Sequence, residues 1–589
     1  MSLKPEFLAF LRNNDTPSES TIQEVTESLK SPLNELLEID SAIQRLCGLL
    51  EAMKIKRQSI QKVIDDHNFI LSPVRRLPLD VLHEIFFHCL PNHRNPIMKS
   101  SESPVLLTRI CSSWRAIALS SPRIWSKIHI PLPGDPSFSS GYGIITDETS
   151  LSGRRQRFNN LLQMRCDVVR GWLSRSGTCP LSISIHHPGS YSDYSDSQSP
   201  KVDKLSHEMF DILLTFADRW SDIDISMPEE IYIKLQGNMK PTMFPSLKSL
   251  RLNSYRQFPT NDIQYPPIQL LAAPGLCSIT INAIQMTFYI TANLVQPNWN
   301  QLTHITLASS IGDIHLLALL RQCPILVFGN FMVTASHWPT EPIVDREDIL
   351  LPCLKSLGIN DGGVHEIMTI MFNAIKAPAL TKLSYQWINA SPYDNSTIPL
   401  PAPVIPLLSN STVISDLLLD GVLSSQDAQE CLRHGERVIH IVLGKPPRTD
   451  PSGHIYYAPF LDQDVVRPDC FDLKLLSIGS SAVTPFPRLE SLEAYNLARL
   501  TDEDLLDLIT SRTNAFKRGE IAALKSVKIN FQRRRQKDIT EEVSRLAKEA
   551  GVEVKLDLTY APEGSRIFDH LSPSFGLTPD DCLWSSEII

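Results

Sequence analysis

The sequence predicts an α/β protein in which a long N-terminal helix and a short helical segment precede an irregular solenoid, a curved parallel sheet backed by helices. Three observations predict it. An apolar seam runs from Leu36 to Ile64, two short amphipathic helices fall between Ser72 and Ile130, and an apolar-x-x-apolar-x-apolar pattern recurs from Trp220 to Ile529. At 589 residues the chain is longer than one hydrophobic core usually organises, which favours several domains or an elongated array. The expected divisions are residues 1–71, 72–130, a linker at 131–160, the solenoid at 161–560 and a tail at 561–589.

Composition narrows the function classes. With 42% hydrophobic and 21% charged residues the chain reads as a folded protein, and no apolar run reaches the roughly 18 residues a membrane helix needs, so no membrane partner is expected. A net charge of −9 argues against nucleic acid as a partner, because phosphate contacts demand a basic surface. The opening MSLKPEFLAFLRNN lacks the basic-then-apolar layout of a secretory signal, so the expected compartment is cytoplasmic and/or nuclear. The eleven cysteines are scattered singly, with no CxxC, and read as small core residues.

The first element covers residues 33–71, which carry a run of helix formers broken only by Gly48. Leu36, Ile39, Ile43, Leu46, Leu50, Met53, Ile60 and Ile64 fall in alternating steps of three and four, interrupted by Arg57, the period of a coiled-coil seam. Such a seam wants a partner: a second copy, giving a homodimer through residues 36–64, another protein, or the neighbouring domain. Ser72-Pro73 ends the helix, since a residue before proline is pushed out of the helical region.

In the second element Pro78 and Asp80 suit a helix start, and Leu82, Ile85, Phe86 and Cys89 are expected on one face. A second helix is expected from Ser103-Pro104 through Leu107, Ile110, Cys111, Trp114 and Ala118. Two helices this short cannot bury such wide stripes alone, so they need either a partner protein or the rest of the chain. The residues resemble the F-box family. Leu77-Pro78-x-Asp80-Val81-Leu82-x-x-Ile85-Phe86 matches its opening LPxE(I/V)LxxIF, and Ile110-Cys111-Ser112-Ser113-Trp114-Arg115 with Ala118 matches its closing (V/I)CxxWR segment.

Together with Ser121-Pro122-Arg123-Ile124-Trp125 and the downstream Trp172-Leu173-Ser174-Arg175-Ser176-Gly177, the passage is similar to the F-box variant abundant in mushroom-forming fungi. Two departures stand out: Asp80 replaces the usual Glu, and Pro91–Ser103 lengthens the link between the helices. The resemblance implies a non-catalytic subunit that docks on the adaptor of an SCF-type ubiquitin ligase and, through it, on the cullin. It implies Leu77, Pro78, Leu82, Ile85, Phe86, Leu106, Ile110 and Trp114 as contact candidates, part of which must form the module's own core.

The third element is the repeat. Clear instances are Trp220/Ile223/Ile225, Leu247/Leu250/Leu252, Leu276/Ile279/Ile281, Leu302/Ile305/Leu307, Leu354/Leu357/Ile359, Leu380/Leu383/Tyr385, Ile414/Leu417/Leu419, Leu489/Leu492/Ala494 and Leu524/Val527/Ile529. Ile325/Phe328 and Val438/Ile441/Leu443 are weaker, and first positions step by 23 to 34 residues from Trp220 to Val438. Leucine-rich repeats have this core at roughly 20 to 29 residues, so the pattern is leucine-rich-repeat-like. Each core reads as a strand, while stretches such as 314–320 and 504–509 read as backing helices.

A concave sheet of this kind binds a protein target through its outward positions, for which Arg251, His304, Lys355, Lys382, Glu493 and Lys528 are candidates. Polar loops are expected at Tyr142–Arg157, His187–Lys201 and Trp387–Ala402, with an insertion at Gly444–Pro468 that leaves the repeat count between 444 and 488 open.

The chain has no nucleotide-binding glycine loop, nucleophile elbow or HExxH, so no catalytic residue, metal or cofactor is expected. His186-His187 would point to opposite faces of a strand, and Arg533-Arg534-Arg535-Gln536-Lys537 reads as a solvated turn. The rival to a ligase subunit is a ligase-independent scaffold that binds through the repeats and the N-terminal helix.

Overall fold

The computed structural model describes residues 7, 10, 11, 16–132, 148–186, 204–228, 239–255, 269–282, 298–334, 348–362, 365–387, 402–411, 413–421, 423, 425–444, 471–479 and 484–560. The expected loop His187–Lys201, residues 388–401 of the loop Trp387–Ala402, residues 445–468 of the insertion Gly444–Pro468 and the tail at 561–589 lie outside these residues, while Trp387 ends a strand, Lys382–Trp387. The chain divides into two units, Met1–Ile85 and Phe86–Ile589.

In the first unit, helix α1 (Glu19–Leu71) is 53 residues long and starts well before the expected position near residue 33. Ser18 caps it, its hydroxyl accepting from the Thr21 amide at 3.3 Å. Pro32 lies inside the helix. A proline removes one ladder hydrogen bond, but the costly step in helix formation is nucleation, and helix-forming residues on both sides carry the helix across. Ser72 ends α1 as expected, with extended backbone before Pro73. A 3-10 turn at Pro73–Arg76 follows, the Arg75 guanidinium lying 4.1 Å from the Phe69 ring centre. Helix α2 (Leu79–His88) then carries the chain into the second unit.

The expected second helix is two. Helix α3 (Leu107–Ile110) stops at Cys111, whose backbone is extended (φ −155, ψ 171), and helix α4 (Ser112–Leu119) starts there. The Cys111 thiol accepts from the Trp114 amide at 3.4 Å, so a residue expected in mid-helix serves as a cap.

Among the described residues, fourteen strands form one sheet, all parallel and paired in chain order. They are β1 (Lys127–Pro131), β2 (Leu181–His186), β3 (Trp220–Pro228), β4 (Ser249–Tyr255), β5 (Ser278–Asn282), β6 (His304–Gly312), β7 (Phe328–Thr334), β9 (Ser356–Asp361), β11 (Lys382–Trp387), β12 (Asp416–Asp420), β13 (His440–Leu443), β14 (Ser491–Leu497), β15 (Ser526–Phe531) and β16 (Lys555–Thr559). A separate short pair, β8 (Ile349–Leu350) and β10 (Ile375–Lys376), lies between them in the chain. Parallel pairing between consecutive strands requires a crossover each time, and helices supply many of these. Among them are α5 (Glu148–Arg175), α6 (Lys204–Leu214) and the helices Asp313–Arg321, His365–Ala374, Ser425–His434 and Asp502–Lys517.

The recurring pattern maps onto this sheet directly. Ile223, Leu250, Ile279 and Ile305 are register partners in successive strands, and each is at most 3% exposed. The first apolar residue of each repeat, such as Leu247 or Leu302, precedes a corner that extends the sheet by one more ladder. The Lys248 amide donates to the Ser221 carbonyl at 2.8 Å, Cys277 to Lys248 at 2.9 Å, and the series continues through Thr303, Val327, Lys355 and onward to Lys555. Period-two alternation after a buried corner is what the pattern encodes.

The structure departs from the expected repeat at β7. Here Leu326, Phe331 and Val333 are buried, Ile325 is 41% exposed, and Phe328 pairs in register with His304 and Ser356 on the outward side. A one-residue slip moves every side chain to the other face, and this slip has a visible cause. Gly329 occupies the inward place held by Ile305 and Leu357 in the flanking strands, and a Cβ there would lie 2.6 Å from the Phe331 ring, which fills the space.

The sheet also extends beyond the repeats at both ends, with β1 and β2 upstream of Trp220 and β16 downstream of Ile529. Residues Glu148–Arg157, expected as loop and linker, belong to α5. Strands β13 and β14 are direct neighbours, so no strand of this sheet lies between Leu443 and Ser491 among the described residues.

Candidate interaction surfaces

The helical segment around α2 to α4 divides its apolar residues into two sets. Leu82 (8% exposed), Phe86 (0%) and Leu90 (6%) form one i, i+4 row that is buried. Ile85 (38%) and the exposed Cys89 form the next row around the helix, so the single face expected for all four is two adjacent stripes. Of the remaining candidates Leu77 and Trp114 are half-buried, while Pro78, Leu106 and Ile110 are exposed. The Phe86 and Trp114 rings lie 4.9 Å apart, and Trp125 donates its indole N–H to the Ala118 carbonyl at 2.7 Å.

The two tryptophan-containing motifs, far apart in sequence, meet in space. The Trp172 indole packs edge-on to Trp125 at 4.9 Å and donates to the Lys127 carbonyl at the start of β1, at 3.1 Å. Gly177, at φ +56, lets the turn close on Pro122, where a Cβ would come to 3.3 Å. Arg219 donates to the Ser176 hydroxyl at 3.0 Å and to the Gly177 carbonyl. Residues 121–125 and 172–177 thus form one joint between α4 and the first strands.

The lengthened link 91–103 closes the sheet edge. Arg94 holds Glu102 with two bonds of 3.0 and 2.6 Å, and the Ile97 amide adds a third at 2.8 Å, which together keep the Glu102 carboxyl below its ordinary range, the Arg94 bond foremost. Asn95 bridges Ser182 and Ser184, and the His129 amide donates to the Pro96 carbonyl at 2.8 Å. The link thus meets the edge strand β1 at a single bridge, Ile97 to His129.

The second surface is the outward face of the sheet, where five of the six target candidates sit. Arg251 reaches Asp224 on the adjacent strand at 3.1 Å. His304 stacks on Phe328, ring centres 6.0 Å apart and 20° from parallel. Lys382 lies 3.8 Å from Asp416, and His440 stands between Asp416 and Glu493 at 3.5 Å from each. Glu493 accepts from the Tyr495 hydroxyl at 2.5 Å, and Lys528 lies 5.7 Å from the Tyr495 ring centre.

Lys355 is the exception: it occupies the corner before β9, where its carbonyl accepts from the Thr381 and Lys382 amides at 2.9 Å. Between Arg251 and Glu493 the same outward row carries Thr280, Thr306, Asn330, Gly358, Ser384, Leu418 and Val442, all uncharged. The outward strand positions from β5 to β9 thus carry no Lys, Arg, Asp or Glu and hold one aromatic stack, while charged groups stand on β3 and β4 to one side and on β11 to β15 to the other. Asp416, His440 and Phe328 are the contributors that sequence reading missed; only the strand register reveals them.

The basic run at 533–537 is not a simple solvated turn. Arg533 is largely buried and pairs with the fully buried Asp502 at 3.0 Å. Asp502 also accepts from the Gln536 and Lys537 amides at 2.8 and 2.9 Å and from the Tyr560 hydroxyl at 2.9 Å. Burial pushes the Asp502 carboxyl up, but these four donors outweigh it and hold the group at about 2. The cluster is a structural lock between the Asp502–Lys517 helix and the end of the sheet.

His186 is exposed at the end of β2 and His187 lies outside the described residues; among the described residues no group of three or more metal-ligating side chains gathers. Nor is any helix among them long and apolar enough to cross a membrane. No protein-family model matches this chain, and no curated protein matches it.

Proposed function

We propose that the chain is a substrate-recognition subunit of an SCF-type cullin-RING ubiquitin ligase. The segment around α2 to α4 acts as an F-box that docks on the ligase adaptor, and the sheet acts as a leucine-rich-repeat-like solenoid that holds the target. One observation carries the reading: Ile85, Leu106 and Ile110, which match or flank the F-box motifs, are exposed, while Phe86 packs on Trp114. Exposed apolar side chains rimmed by polar surface mark protein interaction sites. The reading requires no cofactor and no catalytic residue on this chain.

The docking test follows from the exposure pattern. Leu82 and Phe86 are core residues, so charging them would unfold the module and prove nothing. Ile85→Asp and the double variant Leu106→Asp/Ile110→Asp should instead leave the fold intact and abolish co-purification of the adaptor and cullin. Each removes an apolar contact worth about 1.5 to 3 kcal/mol when buried, and adds the cost of burying a charge. Undiminished capture by folded variants contradicts the proposal.

The rival reading, a ligase-independent scaffold, is favoured by the exposed apolar seam of α1. It predicts that the docking variants retain every cellular effect of the parent chain.

A further inference from the structure

The α1 helix leaves an apolar stripe in water along its whole length. Ile22 and Leu29 extend the seam two heptads before Leu36, and Leu36, Ile43, Leu50 and Ile64 are each about half exposed, from 47% to 55%. No residue of α1 is buried, in a helix about 80 Å long at 1.5 Å per residue. An apolar seam that long is stabilised by wrapping around a second helix. What identifies the second helix is the placement of the irregularities and charges.

We infer that α1 pairs with α1 of a second copy of this chain, antiparallel, about a centre between Ile43 and Leu46. The register places Leu36, Ile39 and Ile43 against Met53, Leu50 and Leu46 of the second copy. Two consequences favour it over a parallel pair. The two flaws of the seam, Pro32 and Arg57, fall opposite each other, so one disturbed layer occurs at each end and all the layers between are apolar. In a parallel pair Arg57 would face its own copy, two cations inside the seam.

The charges flanking the seam agree. Glu35 and Lys56 occupy equivalent flanking positions, and the antiparallel register sets each beside the other of the second copy, twice by symmetry. A parallel pair would instead bring Glu35 toward Asp40 of the second copy, like against like. Unlike charges across a seam set partner and orientation. The outer positions are polar over most of the length, among them Glu24, Lys30, Glu38, Arg45, Glu51 and Lys62, which suits a two-helix rather than a larger assembly. The inference goes beyond the ligase reading and does not depend on it.

The test uses the full-length chain. Sedimentation should give a dimer, and a lysine-directed cross-linker reaching about 12 Å should join Lys30 to Lys62, which within one helix are about 48 Å apart. Mixing isotope-labelled and unlabelled chains should show that this link joins two copies. Homotypic Lys30–Lys30 and Lys62–Lys62 links in its place would establish a parallel pair and overturn the inference, and a monomer at every concentration would overturn pairing altogether. A charge exchange fixes the register: Glu35→Lys alone should raise the dissociation constant about tenfold, and adding Lys56→Glu should restore it. If Glu35→Lys tightens the dimer, Asp40 is its neighbour and the helices are parallel.

Discussion

Helix α1 and the parallel sheet both carry recurring leucine and isoleucine, yet they place them in opposite environments. Along the sheet Leu250, Leu383, Leu417 and Val527 are at most 1% exposed, whereas in α1 Leu46 is 65% exposed and Met53 69%. The difference lies in where the next repeat comes from. A strand repeat is covered by the following coil of the same chain, so each addition buries the one before. A helical seam has no neighbour within its own segment. Similar composition therefore goes with a buried core in one region and an exposed stripe in the other.

The sharpest way to break this contrast is one truncation in each region. Leu383→Ala should lower the unfolding free energy by about 2 to 5 kcal/mol, the cost of lost burial plus a cavity in the close-packed inward row. Leu46→Ala should leave the denaturation midpoint of the sheet unchanged and weaken self-association only. Chemical denaturation of the two variants, followed by sheet circular dichroism, reads both. Equal destabilisation would mean that the seam is part of a core after all.

A smaller effect sharpens the account of the sheet's C-terminal end. The Asp502 carboxyl sits at about 2 in the folded chain, against about 3.9 in an unfolded one. A carboxylate held below its unfolded value stabilises the fold above about pH 4, and that contribution disappears as the pH falls from about 4 toward 2. It amounts to about 2 to 3 kcal/mol at neutral pH. Asp502→Asn should remove it, so the stability gap between parent and variant should be constant from pH 7 to 5 and narrow below 4. A gap that does not change with pH would show that Asp502 acts through packing alone.

Sequence reading found most strands between Trp220 and Ile529, where a leading apolar residue precedes the alternation. It missed β1 although Trp125, Ile128 and Ile130 have the spacing of the repeat, because Trp125 reads as the end of the F-box-like passage, and it missed β2 because Pro180 stands three residues before Ile183, where the repeat has its leading apolar residue. It misplaced β7 because Ile325 and Phe328 fit the spacing, while the true inward place is a glycine whose room Phe331 occupies; a missing side chain leaves no apolar signal. The lock around Asp502 was invisible for another reason. Arg533 lies among solvated basic residues, and only the fold brings its partner, on a helix 31 residues earlier, to it.

On the candidate surfaces, sequence reading selected residues but could not sort them. Leu82 and Ile85 are equally apolar and three residues apart, yet Leu82 is 8% exposed and Ile85 38%. The helix break at Cys111 was equally hidden, since nothing in composition marks a cysteine as a cap.

The adaptor proposal is tested most directly by hydrogen–deuterium exchange on the full-length chain, alone and with the purified ligase adaptor subunit. Docking through the exposed stripes predicts added protection confined to residues 79–119, with the amides of β3 to β15 unchanged. Protection that falls on the sheet, or an exchange pattern that the adaptor does not alter, would contradict the account.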